Sequence, residues 1–195
     1  MLIPGRGLPK FAAVSNPRYV LRSAVFVTVF LAGFLITPLI PVFPLAPLVV
    51  GGIWLTAQAG YGLRRFDVIM LATTGAVGAT VQDAGLLLSL TIAAWAVLPS
   101  LLFAVLMDRW LPGYWRGHGD RFRRPATAML SLAGIAFLTA AAGTVLWAVI
   151  DTGNDGLPPP VPFGRDLVML FLAPLAVNTV RRLRSPRRAG LTVVR

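Results

Sequence analysis

Two uncharged apolar segments near the start of the chain constrain its fold more than any other feature. Residues 23–39 and 45–61 form two runs of 17 residues, and neither run contains a charged side chain. As helices rising about 1.5 Å per residue, each would reach about 25 Å, close to the ~30 Å hydrocarbon thickness of a bilayer. Prolines at positions 38, 41, 44 and 47 recur every third residue between them, which is the repeat of polyproline II. The pattern predicts a transmembrane hairpin with a stiff tip.

The composition leaves room for one membrane domain and no sizeable soluble one. Of 195 residues, 56% are hydrophobic and 13% charged, and the mean hydropathy is +0.76. The net charge of +11 is explained by loops beside a membrane, so we expect no nucleic-acid partner. Arginine outnumbers lysine 17 to 1 and all seven acidic residues are aspartate, which is typical of a GC-rich genome. We therefore expect a multi-pass protein of a bacterial inner (plasma) membrane.

Four further apolar segments follow the hairpin. We predict an all-α, polytopic membrane helix bundle with two cytoplasmic basic tails, at residues 1–22 and 181–195. The six predicted transmembrane helices cover residues 23–39, 45–61, 66–81, 86–107, 126–150 and 163–180. A polar loop precedes the last of them.

The distribution of basic residues predicts the orientation of the bundle. With a cytoplasmic amino terminus and six spans, the cytoplasmic segments are 1–22, 62–67, 108–125 and 181–195. These segments hold 17 of the 18 basic residues, and only Arg165 lies outside them. Because basic residues concentrate on the cytoplasmic side of membrane proteins, both termini are predicted to be cytoplasmic.

Two features suit binding to other membrane proteins. The third predicted span carries small residues in two pairs spaced four apart, which would let another helix approach closely. The pairs are Ala72 with Ala76 and Gly75 with Ala79. The external proline-rich connection, with Pro41, Phe43 and Pro44, is an apolar and pre-ordered surface for a partner, or a tight turn that only closes the hairpin.

The long basic loop at residues 108–125 predicts contact with anionic lipids. Its aromatic and basic side chains alternate, which suits a segment lying on phospholipid head groups. The candidate head-group residues are Trp110, Trp115, Arg121, Arg123 and Arg124.

The sequence offers little for catalysis. His118 is the only histidine, cysteine and glutamate are absent, and all seven aspartates lie at or beyond the ends of the predicted helices. We expect no enzymatic activity, no cofactor, no metal site and no proton relay. Gln58 and Asn178 are expected to hydrogen-bond another helix or, less favoured, to contact a substrate. Trp54 and Trp95 lie well inside their spans and either pack in the core or line a pocket for a small apolar ligand.

Two functions fit this pattern. The first is a noncatalytic integral membrane subunit of a larger envelope or transport complex, docked through the small-residue helix face and the stiff proline-rich external loops. The alternative is a small-molecule transport component. In length, in its six predicted spans and in its cytoplasmic termini, the chain is similar to the substrate-binding subunits of energy-coupling-factor importers. No residue motif identifies a family.

Overall fold

The described part of the chain consists of six α-helices. The structure, a computed structural model, describes residues 17–37, 39–40, 46–58, 62–112, 114, 125–150 and 160–184. The helices are α1 (Pro17–Ile36), α2 (Pro47–Ala57), α3 (Arg64–Val81), α4 (Leu86–Trp110), α5 (Pro125–Ile150) and α6 (Pro160–Arg184). Four of them, α1, α4, α5 and α6, are long and apolar enough to cross a membrane. The predicted all-α fold is confirmed, and the four apolar helices are compatible with a multi-pass membrane protein. Six crossings remain a prediction.

Helix α2 is shorter than the span predicted at residues 45–61 and lies at the centre of the bundle. Its 11 residues make a helix about 16 Å long, roughly half the hydrocarbon thickness. Pro47 is its first residue, a position where a backbone N–H would have no acceptor within the helix. Helix α2 packs against α1, α3, α4 and α6, and nine of its residues are buried. An apolar surface on every side suits a helix that is shielded from water all around.

Side-chain contacts bring four helix ends together at one end of the bundle. Tyr19 near the start of α1 bonds to Asp67 near the start of α3. Gln58, directly after α2, bonds to Ser23 of α1. The start of α3 also meets the end of α4 through an ion pair. The chain therefore reverses direction between α1 and α2, and again between α3 and α4.

The packing of α4 on α5 depends on two tryptophans. The Trp95 indole Nε1 donates a hydrogen bond to the Gly143 carbonyl oxygen at 3.1 Å, and its ring centroid lies 5.2 Å from that of Trp147. Trp54 of α2 stacks on Phe26 of α1, with ring centroids 5.9 Å apart. Trp54 and Trp95 are both buried, as the inward-packing interpretation predicted.

Helix α6 begins earlier than the sequence pattern indicates. Its start is Pro160, three residues before the predicted Phe163, and Arg165 and Asp166 lie within its first two turns. Arg165 Nε and Asp166 Oδ1 form an ion pair at 2.8 Å, in which both side chains are largely buried. Phe163, in the first turn of α6, packs edge-on against Phe137 of α5 and so anchors the start of the helix.

Candidate functional site

Six polar or amphipathic side chains converge at the end of the bundle where α1, α2 and α3 meet. We call this group the polar cluster: Tyr19, Ser23, Trp54, Gln58, Arg64 and Asp67. Residues three or four apart share a helix face, and each helix contributes one such pair. Tyr19 and Ser23 come from α1, Trp54 and Gln58 from α2 and the residue after it, and Arg64 and Asp67 from α3.

Two hydrogen bonds hold the three helices together in the polar cluster. The Tyr19 hydroxyl donates to Asp67 Oδ1 at 2.8 Å, and Gln58 Nε2 donates to Ser23 Oγ at 3.0 Å. Ser23 also lies within reach of Tyr19, so the four side chains form a connected network. The Gln58 bond agrees with the interhelical role expected for that residue.

The Asp67 carboxyl is buried completely, with an exposed fraction of 0%. Trp54 and Gln58 are equally inaccessible, and Tyr19 is 1% exposed. Burying a carboxyl group is costly unless partners compensate for the lost water, and such groups inside membrane proteins often mark functional sites. The expectation that every aspartate lies at or beyond a helix end holds for the position of Asp67, but it did not include the burial of its side chain. Asp67 lies in the first turn of α3, but α1 and α2 cover that turn.

Four buried atoms of the polar cluster have no hydrogen-bond partner. They are two donors, Trp54 Nε1 and Arg64 Nε, and two acceptors, Gln58 Oε1 and Asp67 Oδ2. The Trp54 indole lies beside the Asp67 carboxyl, but not in a geometry that makes a hydrogen bond. A buried polar group left unpaired costs about 1–3 kcal/mol. The four atoms therefore carry hydrogen-bonding capacity that the described side chains do not use.

Arg64 connects the polar cluster to the surface. Its Nη2 forms an ion pair with Asp108 Oδ2 of α4 at 2.6 Å, and 53% of the Asp108 side chain is exposed. An exposed ion pair contributes little to stability, because water competes for both charges. The Arg64 side chain thus extends from the buried cluster to the surface, with Nε buried and Nη2 paired to the half-exposed Asp108.

The polar cluster offers hydrogen-bonding groups of several kinds. Among the described residues, no group of three or more His, Cys, Asp or Glu side chains could hold a metal ion. The cluster pairs one carboxyl group with hydroxyl, amide and indole groups that donate or accept hydrogen bonds. These groups can orient a small polar species in a site away from bulk water.

The predicted small-residue face packs within the chain. Gly75 and Ala79 are buried, while Ala72 and Ala76 are only partly covered. A Cβ atom at Gly75 would lie 3.4 Å from the Cα of Ala93, so the glycine allows α3 and α4 to approach closely. A partner could reach only the Ala72 and Ala76 side of this face, and docking there remains a prediction.

Most of the other predicted site residues lie outside the described residues. For the proline-rich connection these are Pro41, Phe43 and Pro44, and for the basic loop they are Trp115, Arg121, Arg123 and Arg124. Trp110 is described: it is the last residue of α4 and is 44% exposed. Its exposure at a helix end is compatible with the predicted head-group contact.

Sequence reasoning missed Tyr19, Ser23 and Asp67 as members of one site. The available signal was the four-residue spacing of Tyr19 with Ser23 and of Trp54 with Gln58 on two adjacent helices. No known protein family, curated protein or solved structure matches this chain. Its function is therefore inferred from the polar cluster and the arrangement of the helices.

Proposed function

We propose that the chain crosses a bacterial inner membrane six times, with both termini in the cytoplasm. Four helices have the length and apolarity of spans, and the chain reverses direction at α2 and α4. The helix ends that meet at the polar cluster carry most of the described arginines, namely Arg18, Arg22, Arg64, Arg65 and Arg109. Positive charge favours the cytoplasmic side, so this end would face the cytoplasm.

Reporter fusions test this orientation. Fusions after Arg65, His118 and Arg195 are expected to give a cytoplasmic signal, and a fusion after Asn154 an external one. An external signal at His118 would contradict six spans, because the basic loop would then lie on the wrong side of the membrane.

We further propose that the protein is a noncatalytic transport component that binds a small polar molecule. The observation supporting this is the set of four unpartnered atoms around the buried Asp67 carboxyl. A polar solute could complete their hydrogen bonds and so offset the cost of burying them. Since the cluster includes side chains from α1, α2 and α3, a bound solute would also bias how these helices pack.

Native mass spectrometry of the chain purified in mild detergent tests the proposal. We expect a small-molecule adduct on the wild-type chain and its loss in Asp67→Asn, which alters the unpartnered carboxyl oxygen. The matched control is Asp83→Asn, the same chemical change at an exposed turn residue. Asp83 has a φ of 59°, a conformation that asparagine also adopts readily.

A second measurement covers weak binding that is lost in purification. A solute that raises the unfolding temperature of the wild-type chain should bind Asp67→Asn at least tenfold more weakly and Asp83→Asn equally well. The proposal would be overturned if the wild-type chain carried no adduct and no polar solute raised its unfolding temperature. If that chain were recovered in a stable assembly with larger membrane proteins, the noncatalytic-subunit hypothesis would be supported instead.

A further inference from the structure

The four unpartnered atoms of the polar cluster have the hydrogen-bonding complement of one water molecule. Water donates two hydrogen bonds and accepts two. Gln58 Oε1 and Asp67 Oδ2 can accept two, while Trp54 Nε1 and Arg64 Nε can donate two. An ammonium ion could not accept from the two donors, and a hydroxyl group has only one hydrogen to donate.

Charge also favours a neutral occupant. The Arg64 guanidinium acts electrostatically on the Asp67 carboxyl, so the cluster already contains a balancing positive charge. The second acidic neighbour of Arg64 is Asp108, which is half exposed and therefore screened by solvent. A neutral species can complete the hydrogen bonds without disturbing this balance.

The positions of the four atoms support a shared occupant. Trp54 and Gln58 are four residues apart, and Arg64 and Asp67 are three apart, so each pair projects from one side of its helix. The Trp54 ring beside Asp67 brings the two pairs together. Trp54, Gln58 and Asp67 are all 0% exposed, and the four atoms are shielded from bulk solvent.

We propose that the polar cluster is a hydration site, in which internal water is bonded to Trp54, Gln58, Arg64 and Asp67 and exchanges with solvent past Arg64. Buried waters of this kind typically make about three hydrogen bonds to groups that would otherwise be unsatisfied. The site goes beyond the proposed transport role, because it requires no solute. It would make this end of the bundle wet, while the middle remains dry.

Thiol labelling tests whether water reaches the polar cluster but not the middle of the bundle. The chain contains no cysteine, so a single-cysteine variant reports on one position. Ser23→Cys places a thiol in the polar cluster. Ser100→Cys is the matched control, a buried serine in the middle of α4 that bonds to the Ala96 carbonyl oxygen. The reactive thiolate forms only where water reaches the sulfur. A small, charged methanethiosulfonate reagent should therefore modify Ser23→Cys at least tenfold faster than Ser100→Cys.

Equal labelling of two folded variants would overturn the proposal. An experimental structure of the wild-type chain, at a resolution that shows ordered water, gives an independent test if Ser23→Cys fails to fold. Density about 2.7–3.2 Å from at least three of the four atoms supports hydration. Direct pairing of the four atoms with one another, without water, would refute it. Hydration in a chain that binds no polar solute would leave this inference standing and overturn the transport proposal.

Discussion

The hydrogen bond between Tyr19 and Asp67 provides a direct measure of how much the polar cluster contributes to stability. Tyr19→Phe removes the hydroxyl that donates to Asp67 Oδ1 at 2.8 Å and retains the buried ring. Asp67 Oδ2 already has no partner, so the variant leaves both oxygens of a fully buried carboxyl without a hydrogen bond.

The expected loss follows from the charge of the acceptor. Hydrogen bonds to charged groups contribute about 1.5–3 kcal/mol, whereas the average bond between membrane helices contributes about 0.6 kcal/mol. We therefore expect Tyr19→Phe to lower the free energy of unfolding by about 1.5–3 kcal/mol. This corresponds to about a 10- to 150-fold change in the unfolding equilibrium constant.

Equilibrium unfolding in mixed micelles, with increasing amounts of denaturing detergent, measures this difference. A double-mutant cycle with Asp67→Asn isolates the pair, because the tyrosine substitution should cost less once the carboxylate is gone. A loss below about 0.5 kcal/mol, or an equal loss in both backgrounds, would refute the reasoning.

Two further predictions concern helix packing and lipid contact. Gly75→Val should destabilise the bundle by about 1–3 kcal/mol, since its branches would meet the backbone of α4, whereas Ala72→Val on the more open side should change stability by less than about 0.5 kcal/mol. Mixed-micelle unfolding compares the two, and equal losses would contradict the packing interpretation. Replacing Arg121, Arg123 and Arg124 together by Gln should weaken the binding of anionic lipid to the detergent-purified chain by about 1 kcal/mol per residue in low salt. Binding that is unchanged at low and high salt would count against the head-group prediction.

The long apolar helices could be predicted closely from the sequence. Helix α4 was predicted at 86–107 and runs from Leu86 to Trp110, and α5 was predicted at 126–150 and runs from Pro125 to Ile150. In these segments an uncharged run long enough to cross a bilayer is bounded by polar residues. A chain in lipid must satisfy its backbone hydrogen bonds internally, so such a run is expected to form a helix over its whole length.

The sequence was less informative about α2, where an equally apolar run forms a helix of only 11 residues. Hydropathy cannot separate a helix surrounded by protein from one surrounded by lipid, since both environments favour the same side chains. The small-residue spacing on α3 was recognised in the sequence, but its packing against α4 instead of a partner depended on the neighbouring helices.

What the sequence determined by itself was a helical chain with segments long and apolar enough to cross a membrane and with basic residues concentrated in a few segments, because apolar length and charge placement are local properties. Only the tertiary structure decided that Asp67 is buried. Its position in the first turn of α3 indicates an interface, yet Tyr19 comes from 48 residues away and covers it. The polar cluster exists because three helix ends meet, and the contacts that bring them together are not encoded by any single stretch of sequence.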